Sequence, residues 1–253
     1  MSTNALRLAS FAVLALLLLA WEAACRGFGI SALVLPPPSA IAQSLWRGLA
    51  SGYFWPHLRA TAFELLLGVL AGSALGFAAG VALGEHALLR RLLMPYVVAS
   101  QVVPKLALAP LFVLWFGFGI TSTVVITALI CFFPLMENTL TALQQVAPER
   151  LELFRMLGAT RRQTLWRLKL PSGLPAILAG LRVAVVLALV GAVVGEFIGA
   201  SRGLGALVIA TQGTMDTARM FAVLVLIAAL GMVAYQATLL LERWLLRPFT
   251  RTS

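Results

Sequence analysis

Apolar residues in this chain fall into long, nearly unbroken runs, and short intervening segments hold almost all of the charge, a pattern that predicts membrane-spanning helices. The first run, Leu8 to Ala24, follows Arg7 and is interrupted only by Ser10 and Glu22. A cleaved signal peptide shares that outline. No small-residue cleavage site follows, however, and Glu22 stands where a lipobox needs an apolar residue, so the run reads as a first transmembrane helix. Between Arg26 and Arg59, Pro36, Pro37 and Pro38 introduce a segment in which Ile41, Leu45, Trp46 and Leu49 share a helical face. It predicts either a helix along the outer membrane surface or a plain extracytoplasmic loop with a helical turn. Further spans are predicted over about Ala60–Gly84, Pro95–Phe116, Thr121–Leu143, Pro175–Ile198 and Met220–Leu241, with a polar outer loop up to Arg219. The expected fold is all-α: a polytopic membrane protein of about six transmembrane helices forming a single domain over residues 1–253.

Polar and special residues inside these spans mark where helices meet or where a pathway runs. In the second span Gly68, Gly72, Gly76, Gly80 and Gly84 recur every four residues, giving one face that admits a close backbone, within the subunit or at a dimer seam. The third span contains Pro104 and Pro110, which free carbonyls that must be buried in protein or line a wet cavity. Lys105 follows the first proline and Gln101 lies one turn earlier, a polar patch near the expected midplane. The patch suits contact with a cargo; a lysine paired with a buried acid is the competing reading. Glu137 and Asn138 follow Pro134 in the fourth span, and Arg182 and Glu196 lie in the fifth. Glu137 and Arg182 fall at matching depth and are expected to form an ion pair. Candidate pathway residues are therefore Gln101, Pro104, Lys105, Glu137, Asn138, Arg182 and Glu196.

Composition sharpens this picture. With 61% hydrophobic and only 11% charged residues, a soluble domain is excluded. The net charge of +10 does not indicate nucleic acid, because the basic residues are dispersed among loops. Arg7, Arg90, Arg91, Arg150, Arg155, Arg161, Arg162, Arg167, Lys169, Arg243, Arg247 and Arg251 fall on one side of the six-span arrangement, and only Arg26, Arg47, Arg59, Arg202 and Arg219 on the other. The positive-inside rule makes the first side cytoplasmic and places both termini there. Cys25 and Cys131 have neither metal-ligand spacing nor a disulfide framework and read as packing residues.

One basic, polar island stands out, from Pro148 to Pro175. Pro148 suits a first helical position, Glu149 and Glu152 complement the dipole of the first turn, and Gly158 is placed to end the helix in a left-handed cap. Thr160 and Gln163 have capping-box spacing for a second short helix, carrying Leu165, Trp166, Leu168 and Leu170, which Pro171 and Pro175 are expected to interrupt. Glu152, Gly158 six residues later, Leu168 ten beyond that and Leu170-Pro171 resemble the cytoplasmic EAA loop of ABC importer permeases. Leu153 and Phe154 replace the usual alanines, and Leu168 replaces the usual isoleucine. From about Leu58 onward the chain is similar to the permeases for nitrate, sulfonates, taurine and pyrimidine-type vitamin precursors.

The resemblance implies a coupling loop over about residues 147–173, with Glu152, Leu153, Phe154, Gly158, Ala159, Leu168, Leu170 and Pro171 in contact with an ATPase. It implies a bacterial inner-membrane protein working with a second permease subunit, usually a copy of itself, a cytoplasmic ABC ATPase dimer and an extracytoplasmic substrate-binding protein. No GxxxxGK[ST] phosphate loop is present, so ATP and magnesium are expected on the partner ATPase and no cofactor on this chain. His57 and His86 lack metal spacing and no serine sits in a nucleophile elbow, so neither a metal nor a catalytic site is expected. A secondary transporter or integral membrane enzyme could also bury such charges, but has no need of this loop, and inverted repeats are not evident.

Overall fold

A computed structural model describes residues 3–250. Arg251 and the side chain of Arg7, both counted in the charge balance, lie outside what it describes. Regular structure among the described residues is entirely helical: α1 (Thr3–Gly27), α2 (Pro38–Ala50), α3 (Trp55–Glu85), α4 (Ala87–Val102), α5 (Ala109–Phe116), α6 (Ile120–Gln144), α7 (Pro148–Met156), α8 (Arg161–Thr164), α9 (Leu170–Gly199), α10 (Leu204–Gly213) and α11 (Thr217–Thr250). Five continuous helical stretches are long and apolar enough to cross a bilayer. The sixth span is broken: α4 and the segment Lys105–Phe116 meet at 81°. Pro104 cannot donate a helical hydrogen bond, and Val103 before it is pushed to extended geometry (φ −68°, ψ 123°), so the break falls there.

The centre of the fold is α6, packed between α3 and α9. Gly68, Gly72, Gly76 and Gly80 are buried on the α3 face that meets α6. A Cβ at Gly72 would strike the carbonyl of Ala128, and one at Gly76 that of Phe132, so the repeat lets two backbones touch within one chain. Gly191 and Gly195 do the same for α9, against the Thr127 and Thr123 backbone of α6, and Gly199 meets the Val113 side chain of α5. On the outer flank of this trio lie α10 and α11, with α2 against α11, and α1 against α2 with its Trp21 edge-on to Phe221 of α11.

Two expectations for the N-terminal half change. In the surface helix α2, Ile41 is buried and Leu45 and Leu49 pack beside it, against Leu204, Leu207 and Val223. Trp46 does not share their face; it is 74% exposed. Steps of four residues keep Ile41, Leu45 and Leu49 in line, and Trp46 is rotated roughly 100° from Leu45. Glu22, anomalous in an apolar run, accepts from Ser39 N (3.0 Å) and pairs with Arg26 (2.6 Å). It thereby ties the end of α1 to the N-terminal turn of α2, where a carboxylate is favoured.

Between α9 and α11 the expected polar loop contains α10, whose Leu204 and Leu207 are fully buried. Its run of apolar residues is too short to span a membrane, and so it gives no transmembrane signal.

Candidate functional site

The 147–173 loop is rigidly built by local hydrogen bonds. At the end of α7, Gly158 N–H donates to Arg155 O (3.0 Å) and Ala159 N–H to Phe154 O (2.9 Å), the paired bonds of a Schellman cap. Gly158 has φ +70°, a conformation other residues avoid. Two residues on, Thr160 N–H donates to Gln163 Oε1 (2.8 Å) and Gln163 N–H to Thr160 Oγ1 (3.2 Å), completing the capping box of α8. One helix is closed and the next opened within three residues.

Beyond α8 the chain departs from expectation. Pro171 and Pro175 do not interrupt the helix; α8 leads through a π-helical turn, Leu165–Lys169, straight into α9. Leu170 N–H bonds to Leu165 O, five residues back. Pro171 would clash with the carbonyl four residues earlier, that of Arg167, and the wider turn lies there, so the helix continues. Leu168 is buried, and Lys169 Nζ reaches Glu85 Oε1 at 2.6 Å, joining the loop to the end of α3.

Several large apolar side chains project outward from the loop among its exposed charges, which include Glu149, Arg150, Glu152, Arg155, Arg161, Arg162 and Arg167. Met156 is 86% and Leu157 73% exposed, with Leu153 and Trp166 also exposed. Phe154, Ala159, Leu170 and Pro171 are half-buried and Glu152 is exposed. Met156 and Leu157 were not singled out from sequence and Trp166 was named only as an apolar residue of the second helix, although apolar residues in a charged loop are a readable signal of a covered surface.

At the opposite end of the bundle Glu196 is buried, not lining an opening. Its Oε1 accepts from Thr61 Oγ1 (2.6 Å) and its Oε2 from Gly205 N–H (2.5 Å) at the start of α10. Leu204 N–H donates to Thr61 Oγ1 (2.7 Å), and Gly203 N–H to His57 Nδ1 (3.2 Å). Glu64, also 1% exposed, lies against Glu196. These bonds lock α3, α9 and α10 together. Sequence reading missed Glu64, yet it lies four residues before Gly68 and thus on the glycine face.

The remaining pathway candidates do not converge. Lys105 and Gln101 fall on opposite sides of the break and so do not share one helix face. Lys105 is half-buried with Nζ 4.3 Å from the centroid of the Phe133 ring, a cation–π contact rather than a pair with Glu137 or Glu196. The expected Glu137–Arg182 pair is absent among the described residues. Arg182 Nη2 instead donates to Glu242 of α11 at 3.2 Å. The sixth span was expected to end at Leu241, but α11 continues for two more turns and brings Glu242 to α9. Glu137 is exposed; the neighbouring residue Asn138 faces α9, where a Cβ on Gly180 would lie 2.5 Å from the Asn138 Cβ.

The family described as the binding-protein-dependent transport system inner membrane component matches residues 68–247. This chain belongs to that family. The permease is 38% identical over 234 residues to the riboflavin transport permease RibX of Chloroflexus aurantiacus, covering 92% of this chain and 87% of that one. It is 37% identical to the formylaminopyrimidine transport permease ThiX of Halalkalibacterium halodurans, over 91% and 92% of the two chains. With the taurine permease TauC of Escherichia coli the identity is 33%, over 91% and 88%. Among solved structures, a chain of the inward-facing MetNI methionine ABC transporter superposes with a TM-score of 0.65 over 76% of this chain and 97% of that one. At 20% identity that likeness establishes the fold. The chain is thus an ABC-importer permease for a small solute.

Proposed function

We propose that this permease couples a cytoplasmic ATPase dimer to solute uptake through the 147–173 loop, with residues 1–253 acting as one transmembrane domain. The single observation that carries the reading is the doubly capped loop, exposing Leu153, Met156, Leu157 and Trp166 on a frame pinned by Lys169 and Glu85. ATP and magnesium belong to the partner ATPase. The loop end and both termini face the cytoplasm of a bacterial inner membrane, in line with the distribution of Lys and Arg.

A second copy of the permease completes the pathway, and an extracytoplasmic binding protein delivers cargo. In support, α4 buries no residue within its own chain, although it leads into the Pro104–Lys105 break. We place Gln101, Pro104 and Lys105 on the pathway. Glu196 and Arg182 belong to the scaffold, because each is held by partners in its own chain. The cargo is of the classes named for the permeases that this chain is similar to: a flavin, a pyrimidine-type vitamin precursor or a small organosulfonate. Substituting Met156 and Leu157 together with aspartate tests the docking reading, since both are exposed and folding should survive. Loss of ATPase co-purification, with permease yield unchanged, is the expected result; undiminished co-purification contradicts it.

A further inference from the structure

Lys105, the lysine inside the broken span, is held by a ring and not by an acid. Its Nζ lies 4.3 Å from the centroid of Phe133 and pairs with no carboxylate among the described residues. The ring itself is fixed: Phe133 meets Phe132 edge-on at 5.0 Å and packs beside Leu83, Met136 and Leu140. Glu137 lies one turn further along the same line of α6, exposed, and is not bonded to the lysine. Around the lysine the chain leaves regular helix, since Val103 and Pro104 are extended, and both are exposed. Irregular backbone at membrane depth is tolerated only where protein covers it or water fills a cavity, and its own chain does not cover it here. The break therefore opens onto a wet path or a second subunit, and not onto lipid.

An ammonium paired with a buried carboxylate is costly to withdraw, whereas a cation–π contact gives way far more readily. We propose that Phe133 is the positioning residue for Lys105, a resting station from which the ammonium passes to a carbonyl or anionic oxygen of the cargo and to which it returns. The ring keeps the charge at the break without neutralising it. It offers no lone-pair acceptor, so the three ammonium donors stay available to an incoming oxygen. An ammonium released from the ring is no longer held beside the opening. The inference deepens the transport reading and rests on its placing of Lys105 on the pathway.

The test replaces Phe133 with mono-, di- and trifluorophenylalanine in the full-length permease, which weakens the negative face of the ring stepwise at nearly constant shape. One readout is the rate at which a water-soluble acylating reagent modifies the Lys105 amine of purified permease, followed by peptide mass spectrometry. The other is uptake of riboflavin, formylaminopyrimidine and taurine, as probes of the proposed cargo classes, by the reconstituted permease–ATPase complex with its binding protein. Reactivity should climb with each fluorine, to on the order of fivefold with three, as the ring lets go of the amine, and uptake should fall in parallel. Glu137→Gln should leave the reactivity at its wild-type value. Flat reactivity across the series, or a rise with Glu137→Gln equal to that with the trifluoro ring, overturns the ring as the station. A graded rise in reactivity with unaltered uptake overturns the positioning role. Lys105→Met separates the two readings: if it too leaves uptake unaltered, the pathway reading fails with the proposal, and if it lowers uptake, the failure is that of Phe133 alone.

Discussion

Lys169 Nζ lies 2.6 Å from Glu85 Oε1, so the π-helical root of the coupling loop is bonded to the last residue of α3. Both side chains are largely shielded, at 18% and 16% exposure. Glu85→Gln or Lys169→Met should destabilise the loop by about 1.5–3 kcal/mol, the range for a charged hydrogen bond. Proteolysis within residues 148–171 of purified permease should accelerate accordingly, and the exchanged pair, Glu85→Lys with Lys169→Glu, should recover part of the protection. Unaltered cleavage in the single variants would mean that the contact contributes nothing to holding the loop.

Arg182 and Glu242 form the scaffold pair. Neutralising either one strands a charge, at a cost of about 3–5 kcal/mol in a buried setting and less here because both retain some exposure. Folded yield should drop for Arg182→Gln and for Glu242→Gln, and recover in the double variant. Glu137→Gln should leave yield unchanged, because Glu137 is exposed. A yield loss with Glu137→Gln equal to that with Arg182→Gln would contradict this pairing.

The glycine face gives a steric prediction. Gly72→Leu forces a side chain into the backbone of α6 at Ala128 and should cost at least about 1–3 kcal/mol, measured as a lower Tm in detergent. Gly27→Ala, with open space around it, should leave Tm within error. Similar shifts for the two variants would show that α3 and α6 do not pack as described.

The spans and the loop were legible in sequence because each has a local cause: apolar length for the spans, capping chemistry and a left-handed glycine for the loop. Span ends were not. α3 begins at Trp55 and ends at Glu85, and α11 runs well past Leu241, because backbone hydrogen bonding continues into the interfacial region where charged side chains are tolerated. This hid Glu242 as the partner of Arg182. Helix α10 was hidden by its length, and the Glu64–Glu196 contact by sequence separation, since the proximity of two acids on α3 and α9 exists only after folding. Pro104 announced the break in the third span but not its 81° angle.

Lys105 stands at that break, its ammonium over Phe133. Lys105→Met should lower uptake by on the order of tenfold while leaving ATPase co-purification and yield intact, and Lys105→Arg should retain part of the activity. Wild-type uptake by Lys105→Met at matched expression would remove this residue from the pathway.

The central claim, that the capped loop transmits ATP hydrolysis to the membrane, is tested most directly at Gly158, whose φ of +70° a β-branched residue can adopt only under strain. The measurement is cargo-stimulated ATP hydrolysis by the reconstituted permease–ATPase complex carrying Gly158→Val. A Cβ added at Gly158 would meet nothing within 4 Å, so any defect arises from the backbone and not from a clash. A strain of about 1–2 kcal/mol predicts stimulation reduced on the order of tenfold, with permease yield preserved. Full stimulation in the variant would contradict the account.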